Sequence, residues 1–198
     1  MIELPNDIGP AAVSLSLLDF GGVMRPDGGG AATRINRGGA RFAASVSLPP
    51  LVHDDRGRLF VSRLVRAVSE GLRIEVPLGV GHQGAPGVAI TLDNDVSGGT
   101  SIDITGANGG YWVREGYWLS LVKSGQHYLH QATSQVQVAS DGTATLAIWP
   151  PLRTDFTAGD AVHLAKPMME GLVVDDRLSW DISLAHHVGL SFTLEEAA

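Results

Sequence analysis

Alternation of apolar and polar residues runs through most of this chain and predicts β-strands. Residues 12–20 and 41–48 alternate most regularly, and we expect residues 33–36 to pair with 41–48 around Arg37, Gly38 and Gly39. Shorter stretches of the same kind are separated by Gly, Pro, Asn and Asp; they cover residues 73–78, 88–92, 101–104, 112–113, 161–164, 171–174, 178–184 and 189–194. The pattern therefore predicts a mainly β protein.

Residues 116–153 hold the densest run of strand and turn signals. A first hairpin is predicted around the turn at residues 123–126. A second is predicted around Asp141 and Gly142, a pair that favours a type I′ turn, with residues 143–149 as its return strand. Pro150 and Pro151 should end that strand, because proline donates no hydrogen bond to a sheet. Two hairpins in so short a stretch predict a small β-barrel or meander.

One long helix is predicted over residues 56–70. Asp54 or Asp55 is placed to cap its start, and Gly71 stands where a helix commonly ends. Apolar residues repeat at helical spacing and predict the buried side; they are Phe60, Val61, Leu64, Val65, Val68 and Leu72. The opposite side carries Arg56, Arg63, Arg66 and Glu70 and is typical of a solvated face.

Glycine density and proline positions suggest two units. Residues 1–86 and 166–198 would form a discontinuous, β-sandwich-like body that contains the helix. Residues 87–165 would form an inserted, barrel-like domain without helix.

Composition narrows the functional classes. The chain has 14 basic and 21 acidic residues and a net charge of −7, which opposes a surface for nucleic acid. Its mean hydropathy of +0.11 comes without any apolar run of the ~18 residues that a membrane helix needs, so we expect neither membrane insertion nor a secretory leader. The absence of cysteine excludes disulfides, thiolate metal sites and a thiol nucleophile.

Two motifs, one rich in glycine and one rich in aspartate, are candidate ligand sites. Residues 79–84 match the G-x-G-x-x-G pattern, but Pro86 and another strand follow where a nucleotide-binding helix would have to start. Residues 93–98 resemble the opening of a calcium loop, yet Ile104 stands where the bidentate acid is required. We interpret the first motif as a loop and the second as a turn capped by its own side chains.

Histidine and carboxylate pairs give no catalytic or metal-binding spacing. His127 and His130 point to opposite faces of a strand, as do the neighbours His186 and His187. The adjacent acids at 175–176 and 195–196 are typical of surface turns and chain ends. We therefore predict no enzyme activity, no catalytic residues, no cofactor and no metal.

Several segments resemble a family of tail structural proteins of long-tailed bacteriophages and α-proteobacterial prophages. They cover most of the chain in the expected order and comprise residues 21–26 (GGVMRP), 34–42 (RINRGGARF), 46–51 (VSLPPL), 114–120 (REGYWLS), 128–131 (YLHQ), 148–153 (IWPPLR) and 189–194 (GLSFTL). These motifs are structural, and none is an active site.

The resemblance implies a distal-tail or tail-tip component that is located in the virion tail after assembly in the cytoplasm of the host bacterium. It implies a β-rich body that forms a homo-oligomeric ring, sixfold in symmetry, on the tail tube. An inserted barrel would then face outward toward hub or tip proteins. Arg34, Arg37 and Arg41 are the candidate subunit contacts, because arginine pairs bidentately with acceptors on a neighbour.

A carbohydrate-binding module at the tail tip is the alternative function. Tyr111, Trp112, Tyr117 and Trp118 lie close in sequence and would form its aromatic surface if they were exposed. If they are buried, they fill the core of the small barrel instead. A cell-wall hydrolase is the less favoured alternative, because the sequence offers no convergent carboxylates.

Overall fold

The structure, a computed structural model, describes residues 1–5, 9–52, 54–78, 83–175, 178, 180–182 and 187–197. Up to residue 78 the elements are β1 (Ile2–Glu3), β2 (Ala12–Leu18), β3 (Gly22–Met24), β4 (Thr33–Ile35), β5 (Arg41–Ser47), β6 (Leu51–Val52), α1 (Asp55–Glu70) and β7 (Leu72–Glu75). The middle of the chain contains β8 (Thr91–Leu92), β9 (Val96–Ser97), β10 (Ser101–Thr105), β11 (Trp112–Val113), β12 (Trp118–Lys123), β13 (Gln126–Ala132), β14 (Val136–Gln137), β15 (Ala144–Trp149), β16 (Asp155–Phe156) and β17 (Val162–His163). The last strands are β18 (Met168–Val173), β19 (Trp180–Ile182) and β20 (His187–Glu196). Within the described residues the protein is mainly β with a single helix, which confirms the predicted fold class.

An 8-stranded sheet joins the two ends of the chain. Its order is β1-β7-β18-β20-β5-β2, with β6 and β19 also paired to β20. All of its pairs are antiparallel except β1 with β7. One apolar cluster, which we call core 1, packs this sheet against α1 and draws on residues 2–76 and 169–194 together with Leu129.

The helix begins and ends where the sequence signals stand. Asp54 is the N-cap, and its carboxylate accepts the N–H groups of Arg56 and Gly57 at 2.9 and 3.0 Å. Gly71 ends the helix with φ 76°. The buried side consists of Gly57, Phe60, Leu64 and Ala67. Val65 and Val68, which we predicted to be buried, are exposed because the buried stripe follows residues 57, 60, 64 and 67.

A 6-stranded sheet occupies the middle of the chain in the order β17-β12-β13-β15-β10-β8. A bridge between Thr91 and Ala161 connects its first and last strands, supported by the 2.9 Å bonds from Leu92 N to Asp160 O and from Val162 N to Ile90 O. These bonds encircle a second apolar cluster, core 2, drawn from residues 90–164. The division into body and insert and the closed barrel stay predictions, which this arrangement supports.

Of the two hairpins predicted over residues 116–153, the first is confirmed. β12 pairs with β13 from Trp118↔Gln131 to Lys123↔Gln126, around a two-residue turn in which Ser124 and Gly125 have φ angles of 52° and 83°. Positive φ at both positions is the mark of a type I′ turn.

The second predicted hairpin is wrong. β14 pairs with β11, whereas β15 pairs with β13 and β10. Asp141 is not at positive φ; it accepts the Thr143 N–H at 3.0 Å and so holds the turn through its side chain. The pairing of β15 follows from burial, because Leu146 and Ile148 reach core 2 only when that strand lies between β13 and β10.

The pairing expected around Arg37 is also different. β5 pairs with β2 over its whole length, from Ala12↔Ser47 to Leu18↔Arg41, and β4 pairs with β3. The four strands therefore form one long hairpin, interrupted at residues 19–21 and 36–40. Its base belongs to the 8-stranded sheet, and its distal part does not.

Candidate functional site

The distal part of the long hairpin stands away from both cores. We call residues 22–35, which comprise β3, β4 and their connecting loop, the arm. Every residue from 22 to 38 is exposed. Val23 and Met24 are 54% and 61% exposed, and Phe20 at the base of the arm is 45% exposed. The arm thus presents apolar side chains that no described part of the same chain covers.

Asp19 fixes the base of the arm. Its carboxylate accepts the Gly21 N–H at 2.9 Å and forms an ion pair with Arg34. Arg34 also donates through Nε to the Asn36 side chain at 2.9 Å. The Gly21 and Arg34 contacts hold the pKa of the exposed Asp19 carboxyl below its ordinary value. The two strands therefore leave the sheet in a defined direction.

The three candidate contact arginines lie along this hairpin. Arg34 lies in the arm and Arg37 is exposed just beyond it. Arg41 lies nearer the sheet, where its Nε donates to Glu195 at 2.9 Å and its guanidinium lies 5.0 Å from the centre of the Phe20 ring. Arg34 and Arg41 thus have partners within the chain.

Three of the four predicted aromatic residues pack against the two cores. Tyr111 and Tyr117 pack against core 2, and Trp118 packs against core 1 with its ring centre 4.9 Å from that of Phe42. Trp112 alone among the four is exposed, at 44%. The cluster seen in the sequence is therefore mostly part of the packing.

Two buried carboxylates lie where core 1 meets core 2, and we call this contact the seam. Glu196 is 1% exposed; it accepts the Leu129 N–H at 2.6 Å and the Phe42 N–H at 3.1 Å. Arg153 forms an ion pair with it at 2.5 Å. Burial raises the pKa of Glu196, while Arg153 and the two N–H groups act in the opposite direction. Our prediction that residues 195–196 form an ordinary surface pair is wrong for Glu196.

Glu170 makes a similar pair of contacts near the start of β13. It is 2% exposed, forms a 2.8 Å ion pair with Arg73 and accepts the His127 N–H at 3.4 Å. Two N–H groups of β13 are thus capped by carboxylates from the 8-stranded sheet. Glu170 and Glu196 join the two sheets where strand pairing is absent.

Gln83 is a third buried polar residue, and it bonds to the 6-stranded region. It is 5% exposed; its amide nitrogen donates to the carbonyls of Trp118 and Leu164, each at 2.7 Å, and its oxygen accepts the Trp118 N–H at 2.6 Å. The Tyr111 hydroxyl donates to the Gln83 carbonyl. Burial, with a smaller contribution from Tyr117, raises the pKa of Tyr111 to about 12. We did not identify Gln83, Glu170 or Glu196 from the sequence.

The histidines of β13 do not converge. His127 contacts the His163 ring at 5.2 Å, whereas His130 is fully buried, with Nδ1 2.8 Å from the Pro150 carbonyl. Burial lowers the pKa of both His127 and His130 to about 4. Within the described residues no three His, Asp or Glu side chains form a group that could hold a metal ion.

The remaining motifs have structural roles or lie outside the described residues. In the calcium-like segment, Asp95 accepts the Ala158 N–H at 2.8 Å and Ser97 pairs with Asp155 across two strands. Several predicted features lie outside the described residues: positions 79–82 of the glycine motif, residue 176 and His186. The strand predicted over 178–184 is described only at residues 178 and 180–182.

No protein-family model matches this sequence, and no curated protein matches it.

Among the described residues, α1 is too short and too polar to cross a membrane, and no other helix is a candidate.

Proposed function

We propose that this chain is a structural subunit of a phage or prophage tail, which assembles with copies of itself into a ring at the distal end of the tail tube. The body would close the ring, and the middle of the chain would face hub or tip proteins. This role would involve no catalysis, and the protein would be located in the virion tail.

The arm is the observation that carries this proposal. Its apolar side chains, Val23, Met24 and Ile35, are exposed together on one hairpin, and an exposed apolar surface favours association. A subunit of a symmetric assembly uses such a surface once per copy, so that one contact is repeated around the ring. The sequence resemblance independently favours the same role.

The seam supports the proposed link between the ring-forming body and the hub or tip proteins. A subunit that links a tail tube to a tip has to transmit position from one sheet to the other. The buried carboxylates Glu170 and Glu196 fix the 6-stranded sheet against the 8-stranded sheet through directed hydrogen bonds. The carbohydrate-binding alternative has less support, since three of its four aromatic residues pack in the cores.

Native mass spectrometry of the purified chain, with negative-stain images of the same sample, tests the assignment. A closed ring, with six copies as the expected number, would support it. A monomer at every concentration up to the solubility limit would contradict ring assembly, and glycan binding would then be the next measurement.

A further inference from the structure

The 8-stranded sheet ends in an unprotected edge. Among the described residues β2 pairs only with β5, so its other side leaves backbone N–H and C=O groups without a strand partner. It is a 7-residue strand, AVSLSLL, with neither a proline nor a charge. Natural proteins usually protect such edges with charged residues, proline, bulges or a short strand. β2 contains no charged residue and no proline, and it is not short.

The opposite edge of the same sheet is protected. β1 has only 2 residues, and the Arg63 side chain of α1 donates to the Glu3 carbonyl at 3.0 Å. A short strand covered by a helix is a poor template for further pairing. The sheet can therefore be extended at β2 and not at β1.

The arm lacks what β2 could provide. It contains two strands of 3 residues each, and all of their side chains are exposed. A two-stranded ribbon is at best marginally stable in water, and a third strand or an apolar partner is needed to hold it. The edge needs a strand, and the arm needs a third strand.

The two cannot meet within one copy. β3 follows β2 after residues 19–21, and the Asp19 contacts to Gly21 and Arg34 hold the hairpin in its extended course. Folding the arm back along the outer side of β2 would break those contacts at its base. The partner must be supplied by another molecule.

We infer that the arm of one copy adds to the β2 edge of the next copy, as a strand addition that continues the 8-stranded sheet from subunit to subunit. This inference rests on the proposed ring, and it names the contact that forms it. Donor and acceptor are different surfaces, so the contact is head-to-tail and can close into a ring. Backbone pairing supplies affinity, and Val23, Met24 and Ile35 supply apolar contact.

The absence of cysteine makes the contact directly testable. Ser14 on β2 and Val23 on β3 are both exposed. A full-length chain carrying both Ser14→Cys and Val23→Cys, treated with a short bis-maleimide reagent, is expected to give a ladder of covalent oligomers. The control pair Val23→Cys and Ser140→Cys, which places the second thiol on an exposed turn of the 6-stranded region, is expected to stay monomeric on denaturing gels.

A second variant removes the arm itself. Replacing residues 22–35 by a short Gly-Ser turn should abolish assembly. At concentrations where the wild-type protein is monomeric, the unfolding midpoint of the variant should match that of the wild type, because the arm contributes nothing to either core. Suppose that the wild-type protein forms rings, but the double-cysteine variant is not cross-linked and the shortened chain still assembles. The inference about the arm is then wrong, while the proposed ring assembly is still supported. Covalent dimers of the Ser14→Cys variant alone would show symmetric β2–β2 pairing and would also overturn it. A wild-type protein that does not assemble, together with a Ser14→Cys and Val23→Cys variant that does not cross-link, would overturn both proposals.

Discussion

Gly57 is a residue where packing opposes helix propensity. It lies in the first turn of α1, is buried, and donates its N–H to Asp54. In an isolated helix, alanine would be more stable than glycine by about 1 kcal/mol. Here a Cβ would lie 2.3 Å from the Val52 carbonyl oxygen, which is closer than any real contact.

Gly57→Ala is therefore expected to destabilise the protein by about 1–3 kcal/mol, the usual cost of overpacking. Urea unfolding at neutral pH measures the change. Ser69→Ala, at an exposed position of the same helix, serves as the control and should be neutral or stabilising by less than about 0.5 kcal/mol. A gain in stability for Gly57→Ala would show that the approach of residue 52 to the helix is wrong.

His130 makes the stability of the fold depend on pH. A carbonyl only accepts, so Nδ1 donates its proton to Pro150, and Nε2 is buried without a partner among the described residues. Burial lowers the pKa of His130 from 6.5 to about 4; the bond to Pro150 raises it slightly, and Arg153 adds to the lowering. A histidine with a lowered folded pKa contributes stability above its unfolded pKa, and that stability is lost as the pH falls toward the folded pKa.

Between pH 7.5 and 5 the wild-type protein should lose about 2 kcal/mol through His130 alone. His127 and His163, whose pKa values burial also lowers, act in the same direction, whereas the raised pKa of Glu196 opposes them. The variant His130→Asn, whose amide can replace the Nδ1 donor, should show a shallower pH dependence of the urea midpoint. If the urea midpoints of the two proteins changed equally with pH, His130 would be excluded as a source of the pH dependence.

At the scale of elements, the sequence predicted the features that depend on a few neighbouring residues, namely helix ends, a turn and a strand. The helix cap at Asp54, the ending at Gly71 and the turn at Ser124 and Gly125 could be placed from the sequence, because capping and turn chemistry act within four residues. The alternation of Phe42, Ala44 and Val46 likewise predicted a strand with one buried side. All of these are properties of the chain close to the residue concerned.

Strand partners could not be placed in the same way. β15 pairs with β13 and β10 because its pairing follows the core that Leu146 helps to fill. β4 pairs with β3 while β5 pairs with β2 over its whole length. Glu196 was missed although alternation carries a signal for it: Phe192, Leu194 and Glu196 occupy every second position of β20, so the carboxylate faces inward. A charged residue in a buried register indicates a partner, and Arg153 is that partner.

At the scale of the whole molecule, the two sheets are held together by groups that are costly to bury singly. The two oxygens of Glu196 accept hydrogen bonds from Leu129 on one sheet and Phe42 on the other, and Arg153 balances the charge. An arginine that loses its buried partner keeps the desolvation penalty without the attraction. The seam should therefore be strongly sensitive to removal of one member and much less sensitive to removal of both.

Glu196→Gln is expected to cost about 3–5 kcal/mol, because it leaves Arg153 buried and turns an amide donor toward a backbone N–H. The double variant Arg153→Met and Glu196→Gln should recover part of that loss. Glu195→Gln, which breaks the partly exposed pair with Arg41 on the neighbouring residue, should cost about 1 kcal/mol or less. Urea unfolding of the wild-type protein, the Arg153→Met and Glu196→Gln single variants and the double variant gives the coupling between Arg153 and Glu196. Equal losses for Glu195→Gln and Glu196→Gln would rule out a special role for the seam. A positive coupling would mean that the Arg153–Glu196 pair helps to hold the two sheets together, which the proposed role in a tail would need.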